Sequence, residues 1–399
     1  MTGPLEGLRV LDLTTMISGG FATVLLADFG AEVVSVEHPD HEDPVRTWEP
    51  QVEGSSVWWK NLGRNKRHVT LDLSTDRGAE LARELAADVD VVIENFRPGT
   101  LERWGLGPDR LRTDNGELIV VRVSGFGQDG PYADRPGFGT IAESIATFTH
   151  QNGYPDEGPL LSPLPLADLS AGMFAALSTM YAVYERDVGA DGGSGEGQVI
   201  DVSLYEPLFR LFTGDVEGYD ATGHVPGRTG NVSPNAAPRN LYETADGYIA
   251  LSASTQRIFE NVMEAIGRPD LVEDERFATN EARVRHREQL DGIIENWTSR
   301  RPREEALATM RAHDVVVGPI YDIADVFEDD HFEARDDLRT VEDPDLGTVR
   351  TNAPVPEFSR TPGRVDELGG DHGEHTAEVF RELGLSEREL QELREADVV

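Results

Sequence analysis

One carboxylate stands alone in an apolar stretch of an otherwise acidic chain. The chain has 74 Asp and Glu among 399 residues, yet Asp168 is the only charged residue between Glu157 and Glu185. It follows a proline-rich apolar run and precedes a helix pattern of small residues, LSAGMFAALSTMYAVY. Because burying an unpaired charge is costly, Asp168 should have either a specific partner or a chemical task. It suits two roles that can coexist, the N-cap of this helix and a nucleophile or general base.

Two further segments carry residue types that bind phosphates and bases. The cluster Arg64–Arg67 (RNKR) contains Lys66, and a compact ammonium suits a phosphate, although a surface patch paired with nearby acids fits the same residues. In the segment NFRPG, Phe96 could stack on an adenine, and Arg103, one helical turn further on, could bind a phosphate. The alternative for this segment is a plain strand-to-helix turn with a proline in the first helical turn.

Other common kinds of site are not indicated. The chain has no Cys, and its ten His are scattered without the pairing typical of metal ligands, so we predict no metal. A G-x-S-x-G nucleophile elbow is absent from the sequence. Asp168 is therefore the best candidate for a nucleophile or base.

The charge balance indicates the environment and excludes some partners. The net charge is −38, which argues against nucleic acid and anionic membranes as partners. Of the 36 basic residues only two, Lys60 and Lys66, are Lys. An acidic surface depleted of Lys indicates adaptation to molar salt, where the screening length falls to about 3 Å, and we expect a haloarchaeal cytosol. With no basic, apolar leader and no apolar run of about 20 residues, we expect a soluble, cytoplasmic protein.

Strand and helix patterns alternate in the first half of the chain. Buried-strand patterns at residues 8–13, 31–39, 68–73, 89–95 and 117–127 alternate with helix patterns such as 18–30 and 77–87. This alternation predicts an α/β domain with a mostly parallel sheet, whose ligands usually bind at the carboxyl ends of the strands. The first loop, with Ser18-Gly19-Gly20, lacks the spaced glycines of a dinucleotide fingerprint, so an adenine nucleotide such as coenzyme A is favoured over a nicotinamide cofactor.

The second half of the chain has a different pattern. A linker rich in Gly, Pro and Asn (223–240) precedes a predicted hairpin at 241–254, with Asp246-Gly247 at the turn, and three helix patterns follow. We predict a large domain of residues 1–200 that about 330–399 completes, a linker helix at 201–224 and a small α+β domain at 225–325.

Taken together, the segments resemble the class III CoA-transferase family, the formyl-CoA and carnitine CoA-transferases. The resemblance runs nearly end to end, and its order and spacing are specific. The matching segments are GPLEGLRVLDLT, LLADFGAEVVSVEHP, DPVRTW, NKRHVTLDL, VVIENFRPGTLERWGLG, VSGFGQDGPYADRPG, LADLSAGMFA, GEGQVIDVSLYE, RTGNVSPNAAPRNLYETADG, VVVGPIYDIADVFEDDHF and GEHTAEVFRELGLSERELQEL.

The resemblance implies a fold and a set of site residues. The fold is an interlocked homodimer, each subunit with a Rossmann-like large domain and a small domain. The catalytic aspartate would be Asp168, in LADLSAG. The CoA-binding positions would be Ile17, Ser18, His38, Lys66, Asn95, Phe96 and Arg103, with His38 standing where the family often has an arginine. The family's glycine-rich lid has no clear counterpart, and residues 227–232 are the candidate substitute.

The resemblance also implies a reaction without a tightly bound cofactor. CoA would pass from an acyl-CoA donor to a carboxylic acid through mixed anhydrides and an aspartyl-CoA thioester. We expect succinyl-CoA as the donor and mesaconate or a similar dicarboxylate as the acceptor. A second carboxylate needs a cation, and we predict Arg46 first and then Arg228, which lies with Arg239 in the linker.

Two alternatives remain. The α-methylacyl-CoA racemases are similar in fold, but they use a His where this chain has Phe138. The other alternative is a nicotinamide-dependent oxidoreductase.

Overall fold

The computed structural model describes residues 3–399, which fall into two units. The first unit comprises residues 3–149, 161–224 and 334–399. The second unit comprises residues 150–160 and 225–333. The chain therefore leaves the first unit twice and returns to it for its C-terminal part.

Thirteen strands lie within the described residues. In chain order they are β1 Arg9–Asp12, β2 Glu32–Glu37, β3 Gln51–Val52, β4 Ser55–Ser56, β5 Lys66–Thr70, β6 Val91–Glu94, β7 Ile119–Ser124, β8 Val199–Ser203, β9 Arg239–Thr244, β10 Gly247–Ser252, β11 Val317–Pro319, β12 Leu338–Asp343 and β13 Gly347–Asn352.

The helices of the described residues alternate with these strands. They are α1 Ser18–Ala27, α2 Val57–Leu62, α3 Asp76–Ala87, α4 Thr100–Arg103, α5 Pro108–Asp114, α6 Gly139–Ile145, α7 Phe148–Gln151, α8 Leu166–Asp187, α9 Tyr205–Arg210, α10 Asp215–Thr222, α11 Gln256–Ala265, α12 Asn280–Arg285, α13 Arg287–Thr298, α14 Arg303–Ala312, α15 Ile323–Glu328, α16 Asp330–Ala334, α17 Thr376–Glu382 and α18 Glu387–Glu395. Short 3-10 helices lie at Pro44–Thr47, Ala190–Gly192 and Pro269–Val272.

A six-stranded parallel sheet lies at the centre of the first unit, with the strand order β5-β2-β1-β6-β7-β8. When these six strands are renumbered 1 to 6 in chain order, the sheet has the order 3-2-1-4-5-6, which is that of doubly wound nucleotide-binding folds. Successive residues pack on opposite faces, so that Val10 and Val33 lie in one core and Leu11 and Val34 in the other. Burial of both faces explains the near-continuous apolar runs of these strands. The predicted α/β fold with a mostly parallel sheet is confirmed.

Helix α8 is the longest helix among the described residues, with 22. Contrary to our expectation that no apolar run reaches this length, it is long and apolar enough to cross a membrane by length and composition. Buried core helices of soluble proteins pass the same test. In this structure one side of α8 packs on α1, α6, α9 and the strands β7 and β8, and apolar side chains on its other side are exposed.

The second unit contains a three-stranded antiparallel sheet in the order β11-β10-β9. The predicted hairpin is present, and Thr244 pairs with Gly247, so its turn residues are Ala245 and Asp246, one position earlier than predicted. Helices α11, α13 and α14 pack through a shared apolar core, whose members include Phe259, Leu290 and Met310.

Residues 201–224 differ from the single linker helix that we predicted. They contain the last residues of β8, which pair with β7, followed by α9 and α10. They belong to the first unit. The physical reason is that Val199–Ser203 supplies the outer strand of the parallel sheet, so this segment is part of the large unit.

Candidate active site

Asp168 lies half-buried in the first turn of α8, beside the fully buried carboxylate of Glu143. Pro165 occupies the N-cap position, and the backbone amide of Leu166 donates to Glu143 Oε1 at 2.9 Å. Glu143 lies on α6 and is 3% exposed. The interpretation of Asp168 as the N-cap is therefore wrong, because Glu143 accepts a hydrogen bond from the start of the helix in its place.

The environment of Asp168 changes its acidity. Burial raises the pKa of its carboxyl from 3.8 to about 6, and the neighbouring Glu143 charge adds to this shift. At neutral pH the group is still mostly ionised, and it is a stronger base than an exposed aspartate. Perturbed carboxyls of this kind concentrate at functional sites.

The Asp168 carboxylate occupies the space that a side chain at position 139 would need. A Cβ atom built on Gly139 would lie 2.0 Å from Asp168 Oδ2 and 3.0 Å from its Cγ. The φ angle of Gly139 is not in the left-handed region, so the backbone does not itself demand glycine. The close approach of the carboxylate is what requires glycine at the start of α6.

A second close approach places Asp168 near the first strand-to-helix loop. A Cβ atom on Gly172 would lie 2.6 Å from the backbone oxygen of Ser18, so α8 and the start of α1 are in direct contact. Asp168 precedes Gly172 by one helical turn and therefore shares its face of α8. Ile17 and Ser18, both predicted to bind CoA, are buried at this contact.

Asn95 joins two loops at the point where the strand order reverses. Its side chain accepts a hydrogen bond from the backbone amide of Thr15 at 2.9 Å and donates to the backbone oxygen of Thr15 at 2.6 Å. Thr15 follows β1 and Asn95 follows β6, and these two strands are neighbours in the sheet. Ligands of doubly wound folds bind at this position.

A cavity of about 440 Å³ opens beside this junction. Phe96 lines it, packed edge-on against Trp104 with a centroid distance of 5.1 Å, and the predicted CoA-binding residue His38 also lines it. Apolar walls come from Leu13, Val36 and other strand-end residues. The cavity has the size and the aromatic surface needed for an adenine.

The lining of this cavity is acidic and contains no Arg or Lys. Glu37, Glu42, Asp43 and Asp72 contribute to it. Nε2 of His38 lies 3.7 Å from Asp72 Oδ1, and its ring stacks on another histidine. These carboxylates suit the amino group of an adenine, whereas phosphates would have to lie outside this cavity.

Arg103 is exposed on α4 and is oriented by its own turn. Its guanidinium donates to the backbone oxygen of Gly99 and to Thr100 Oγ1, at 3.1 and 2.9 Å. No ion pair engages its guanidinium among the described residues, although the Glu102 carboxylate lies near enough to interact with its charge, so a phosphate could still bind there.

The structure contradicts a phosphate contact for Lys66. Its Nζ is buried and donates to Thr23 Oγ1 at 2.7 Å, to the backbone oxygen of Gly20 at 3.1 Å and to Asp12 Oδ2 at 3.2 Å. An ammonium has three donors, and all three have internal partners. Lys66 therefore connects β5 to β1 and α1 within the protein.

The structure also contradicts the first choice for a substrate anchor, Arg46. Its guanidinium forms a two-point ion pair with Glu37 at 2.8 and 2.7 Å and donates to the backbone oxygen of Gly370 at 3.0 Å. It lies 3.7 Å above the Trp59 ring. These contacts use the edges and one face of the guanidinium, so Arg46 is structural.

Arg228, the second choice, lies in the second unit. It donates to the backbone oxygens of Tyr154 and His150 at 3.3 and 3.1 Å. The nearby Gly230 amide donates to the Gly153 carbonyl at 2.9 Å. Arg228 thus fastens the candidate lid, 227–232, to residues 150–160, and its role toward substrate stays a prediction.

Sequence reasoning missed Gly139 and Glu143. The segment around Phe138 was considered as part of a candidate ligand loop at 124–139 and for the histidine of a racemase, but neither glycine nor glutamate was assigned a role there. Phe138 is 69% exposed at the start of α6. The available signal was the glycine that follows it, in a segment with a second glycine, Gly137, which packs against Gly125.

Comparisons with known proteins agree along the whole chain. The family model for CoA-transferase family III matches residues 5–376. The succinyl-CoA–D-citramalate CoA-transferase of Chloroflexus aurantiacus is 42% identical over 99% of this chain and 98% of its own length. The succinyl-CoA–L-malate CoA-transferase beta subunit of the same organism is 38% identical over 100% of this chain and 98% of its own length.

Solved structures give the same answer. A CaiB/BaiF family protein from Brucella suis is 33% identical and matches with a TM-score of 0.85, over 96% of this chain and 100% of that chain. A nicotinamide-dependent oxidoreductase does not agree with these findings. The chain is a CoA-transferase and belongs to CoA-transferase family III.

Proposed function

We propose that this enzyme moves CoA from succinyl-CoA to a C4 or C5 dicarboxylate such as mesaconate, with Asp168 as the nucleophile. The observation that carries the proposal is the half-buried Asp168 carboxylate, whose pKa is raised to about 6 and which lies against Gly139. Two similar enzymes are named for succinyl-CoA and for the dicarboxylates citramalate and malate. Mesaconate has the carbon skeleton of citramalate less the elements of water, which supports it as an acceptor.

The reaction would proceed by four acyl transfers. The Asp168 carboxylate attacks the thioester carbonyl of succinyl-CoA. CoA thiolate is expelled, and a mixed anhydride of Asp168 and succinate forms. The thiolate attacks the aspartyl carbonyl, which releases succinate and forms an aspartyl-CoA thioester. The acceptor carboxylate attacks this thioester, expels CoA thiolate and forms a second mixed anhydride. The thiolate then attacks the acceptor acyl carbon of this anhydride and expels the Asp168 carboxylate. Product acyl-CoA leaves, and the Asp168 carboxylate is regenerated.

The chain's own residues would support these steps in two ways. The raised pKa makes the Asp168 carboxylate a better nucleophile while leaving it ionised at neutral pH. Partial burial of Asp168 would limit the access of water, which would hydrolyse the anhydrides. None of the four acyl transfers needs a tightly bound cofactor, because CoA takes part as a substrate.

For CoA itself we propose the edge of the sheet where the strand order reverses. The adenine would stack on Phe96 in the 440 Å³ cavity, which His38 also lines. Arg103 would bind a phosphate, and Asn95 would hold the loop that leads to Ile17 and Ser18. The contact of Ser18 with α8 then directs the thioester end toward Asp168.

We also propose a homodimer, and an exposed apolar stripe on α8 supports it. Five exposed residues recur at spacings of three or four, so they share one helix face. They are Met173, Leu177, Tyr181, Tyr184 and Val188. A stripe of this length on a protein with a net charge of −38 favours a protein partner, and an interlocked second copy would cover it.

The proposed setting is a cytoplasm of high salt. Only two of 36 basic residues are Lys, and carboxylates outnumber basic residues about two to one. At molar KCl the screening length is about 3 Å, which suppresses repulsion between surface carboxylates. The same charge disfavours nucleic acid and anionic membranes as partners.

The test is Asp168→Ala, assayed with succinyl-CoA and mesaconate in molar KCl. We expect transfer to fall to the background rate while CoA still binds, because the cavity around Phe96 is untouched. Trapping with hydroxylamine should modify Asp168 in the wild type only after succinyl-CoA is added. The matched control is Asp220→Ala, which removes an exposed carboxylate from α10. Persisting transfer in Asp168→Ala would disprove the assignment.

A further inference from the structure

The loop between β1 and α1 contains a residue in a strained backbone conformation. Met16 has a φ of +65°, in the left-handed region that residues with a side chain rarely adopt. The amide and the carbonyl of the preceding residue, Thr15, are bound by the side chain of Asn95. A conformation of this kind persists only where its surroundings hold it, so the contacts of Met16 itself identify the group that does so.

Asp43, in the loop that follows β2, is the side chain that holds Met16. Its carboxylate is buried, with 6% of the residue exposed. Oδ2 accepts a hydrogen bond from the backbone amide of Met16 at 2.7 Å, and Oδ1 accepts one from the backbone amide of Val45 at 2.8 Å. The backbone amide of Asp43 in turn donates to Glu37 Oε2 at 3.0 Å. One buried carboxylate therefore connects the loop after β1 to the loop after β2.

The two backbone amides are the groups that stabilise the charge of Asp43. Burial raises the pKa of its carboxyl, the hydrogen bonds from Val45 and Met16 lower that pKa in part, and the charges of Glu37 and Asp12 raise it. Within residues 3–399 no cationic side chain forms an ion pair with Asp43. Both partners of the carboxylate are donors. An asparagine would satisfy only one of them, because its NH2 group would face the other amide.

The contacts of Asp43 lead to the surroundings of Asp168. Val45 and Ile17 belong to one buried apolar cluster, and the side chains of Met16 and Leu169 pack against this cluster. Leu169 directly follows Asp168 in α8. A shift of the Met16 backbone would therefore be passed on to the first turns of α8. The loops and the start of α8 all lie within the first unit.

We propose that Asp43 is a positioning residue, which holds Met16 in its left-handed conformation and so keeps the loop 14–18 in the shape that CoA transfer requires. The loop carries Ile17 and Ser18, and the inference rests on the proposed function for their contact with CoA. Both oxygens of Asp43 accept from main-chain amides. Asp43 therefore acts through the loop and takes no part in the acyl transfers themselves.

The experiment measures the effect of Asp43→Asn on kcat in three backgrounds that differ only at position 16: wild type, Met16→Gly and Met16→Ala. Glycine adopts a positive φ without strain, so the loop with glycine should keep its shape without help from Asp43. Alanine removes the same side-chain packing but keeps the strain. We expect Asp43→Asn to lower kcat for transfer from succinyl-CoA about tenfold or more in the wild type and in Met16→Ala, and less than about threefold in Met16→Gly.

Urea unfolding at the same KCl concentration gives the folded fraction of each variant, and each kcat is divided by that fraction. The control is Asp40→Asn, which removes an exposed carboxylate from the same loop and should leave kcat unchanged. Equal losses on Asp43→Asn in all three backgrounds would overturn the inference, because Asp43 would then not act through Met16. Failure of the proposed function gives a different result: full transfer by Asp168→Ala would remove the nucleophile, while a smaller loss in Met16→Gly would still support the role of Asp43.

Discussion

Replacing Gly139 by Ala tests whether the carboxylate of Asp168 must stay where the structure places it. The new Cβ would lie 2.0 Å from Oδ2 and 3.0 Å from Cγ, whereas non-bonded atoms need more than 3 Å. The carboxylate would therefore have to move by more than about 1 Å, a displacement that typically costs about 100-fold in rate. We expect kcat for CoA transfer to fall by about this factor.

The stability of the same variant gives a second measure of the contact. Overpacking usually lowers the free energy of unfolding by about 1–3 kcal/mol. We expect a loss of about 1 kcal/mol for Gly139→Ala, because the short side chain of Asp168 can rotate away from the new methyl group. In an Asp168→Ala background the obstructing atoms are gone, so Gly139→Ala should be neutral or slightly stabilising there. Asp168→Asn keeps the shape without the charge, and in that background the clash should persist.

The assay is urea unfolding at constant KCl for the wild type, the single variants and both double variants. A coupling free energy near 1 kcal/mol between positions 139 and 168 is the expected result. If Gly139→Ala costs the same in the wild type as in the Asp168→Asn and Asp168→Ala backgrounds, the two residues do not touch. Full activity in Gly139→Ala would refute the placement of the nucleophile.

Three further predictions follow from the charges. The pKa of Asp168 is higher in the folded protein than in the unfolded chain, so ionisation of its carboxyl lowers the free energy of unfolding. This loss of stability is absent below about pH 4 and complete above about pH 6. Asp168→Asn should therefore raise the free energy of unfolding by up to about 3 kcal/mol at pH 7.5 and by little at pH 4, while wild-type CoA transfer falls below about pH 6. Lys66→Met should lower that free energy by about 3–5 kcal/mol, because it leaves Asp12 buried without its cation, and calorimetric CoA binding to the remaining folded protein should be unchanged. Dialysis from molar to 0.1 M KCl should lower the melting temperature and the activity together, since the screening length grows to about 10 Å; an unchanged melting temperature would contradict the halophilic assignment.

The fold could be predicted because its signals are local. Strands such as Val91–Glu94 and Ile119–Ser124 are buried on both faces and therefore read as continuous apolar runs. The predicted turn between β9 and β10 lay one residue too far along the chain, and the helices α9 and α10 were predicted as a single linker helix. Both errors concern the ends of helices and strands, which a single sequence encodes weakly.

The candidate site was only partly predictable. Asp168 was found because a lone charge in an apolar segment is visible without a structure. Gly139 and Glu143 were missed because both act on the start of α8, far along the chain: Gly139 makes room for the Asp168 carboxylate, and Glu143 accepts from the Leu166 amide. Nothing in the neighbouring sequence encodes these contacts. These contacts form only when α6 and α8 pack against each other in the folded protein.

The two lysines show how a sound observation led to a wrong assignment. Their rarity suggested that each position requires the residue, and the structure agrees, but the requirement is internal. Lys60 Nζ lies 3.0 Å from Asp343 and 2.8 Å from Asp345, and Lys66 lies in the equally buried pair with Asp12. Both ammonium groups therefore serve carboxylates of the protein itself. Both lysines of this chain are therefore already neutralised, and a residue that binds an anionic substrate should be sought among the arginines that have no carboxylate within ion-pair distance.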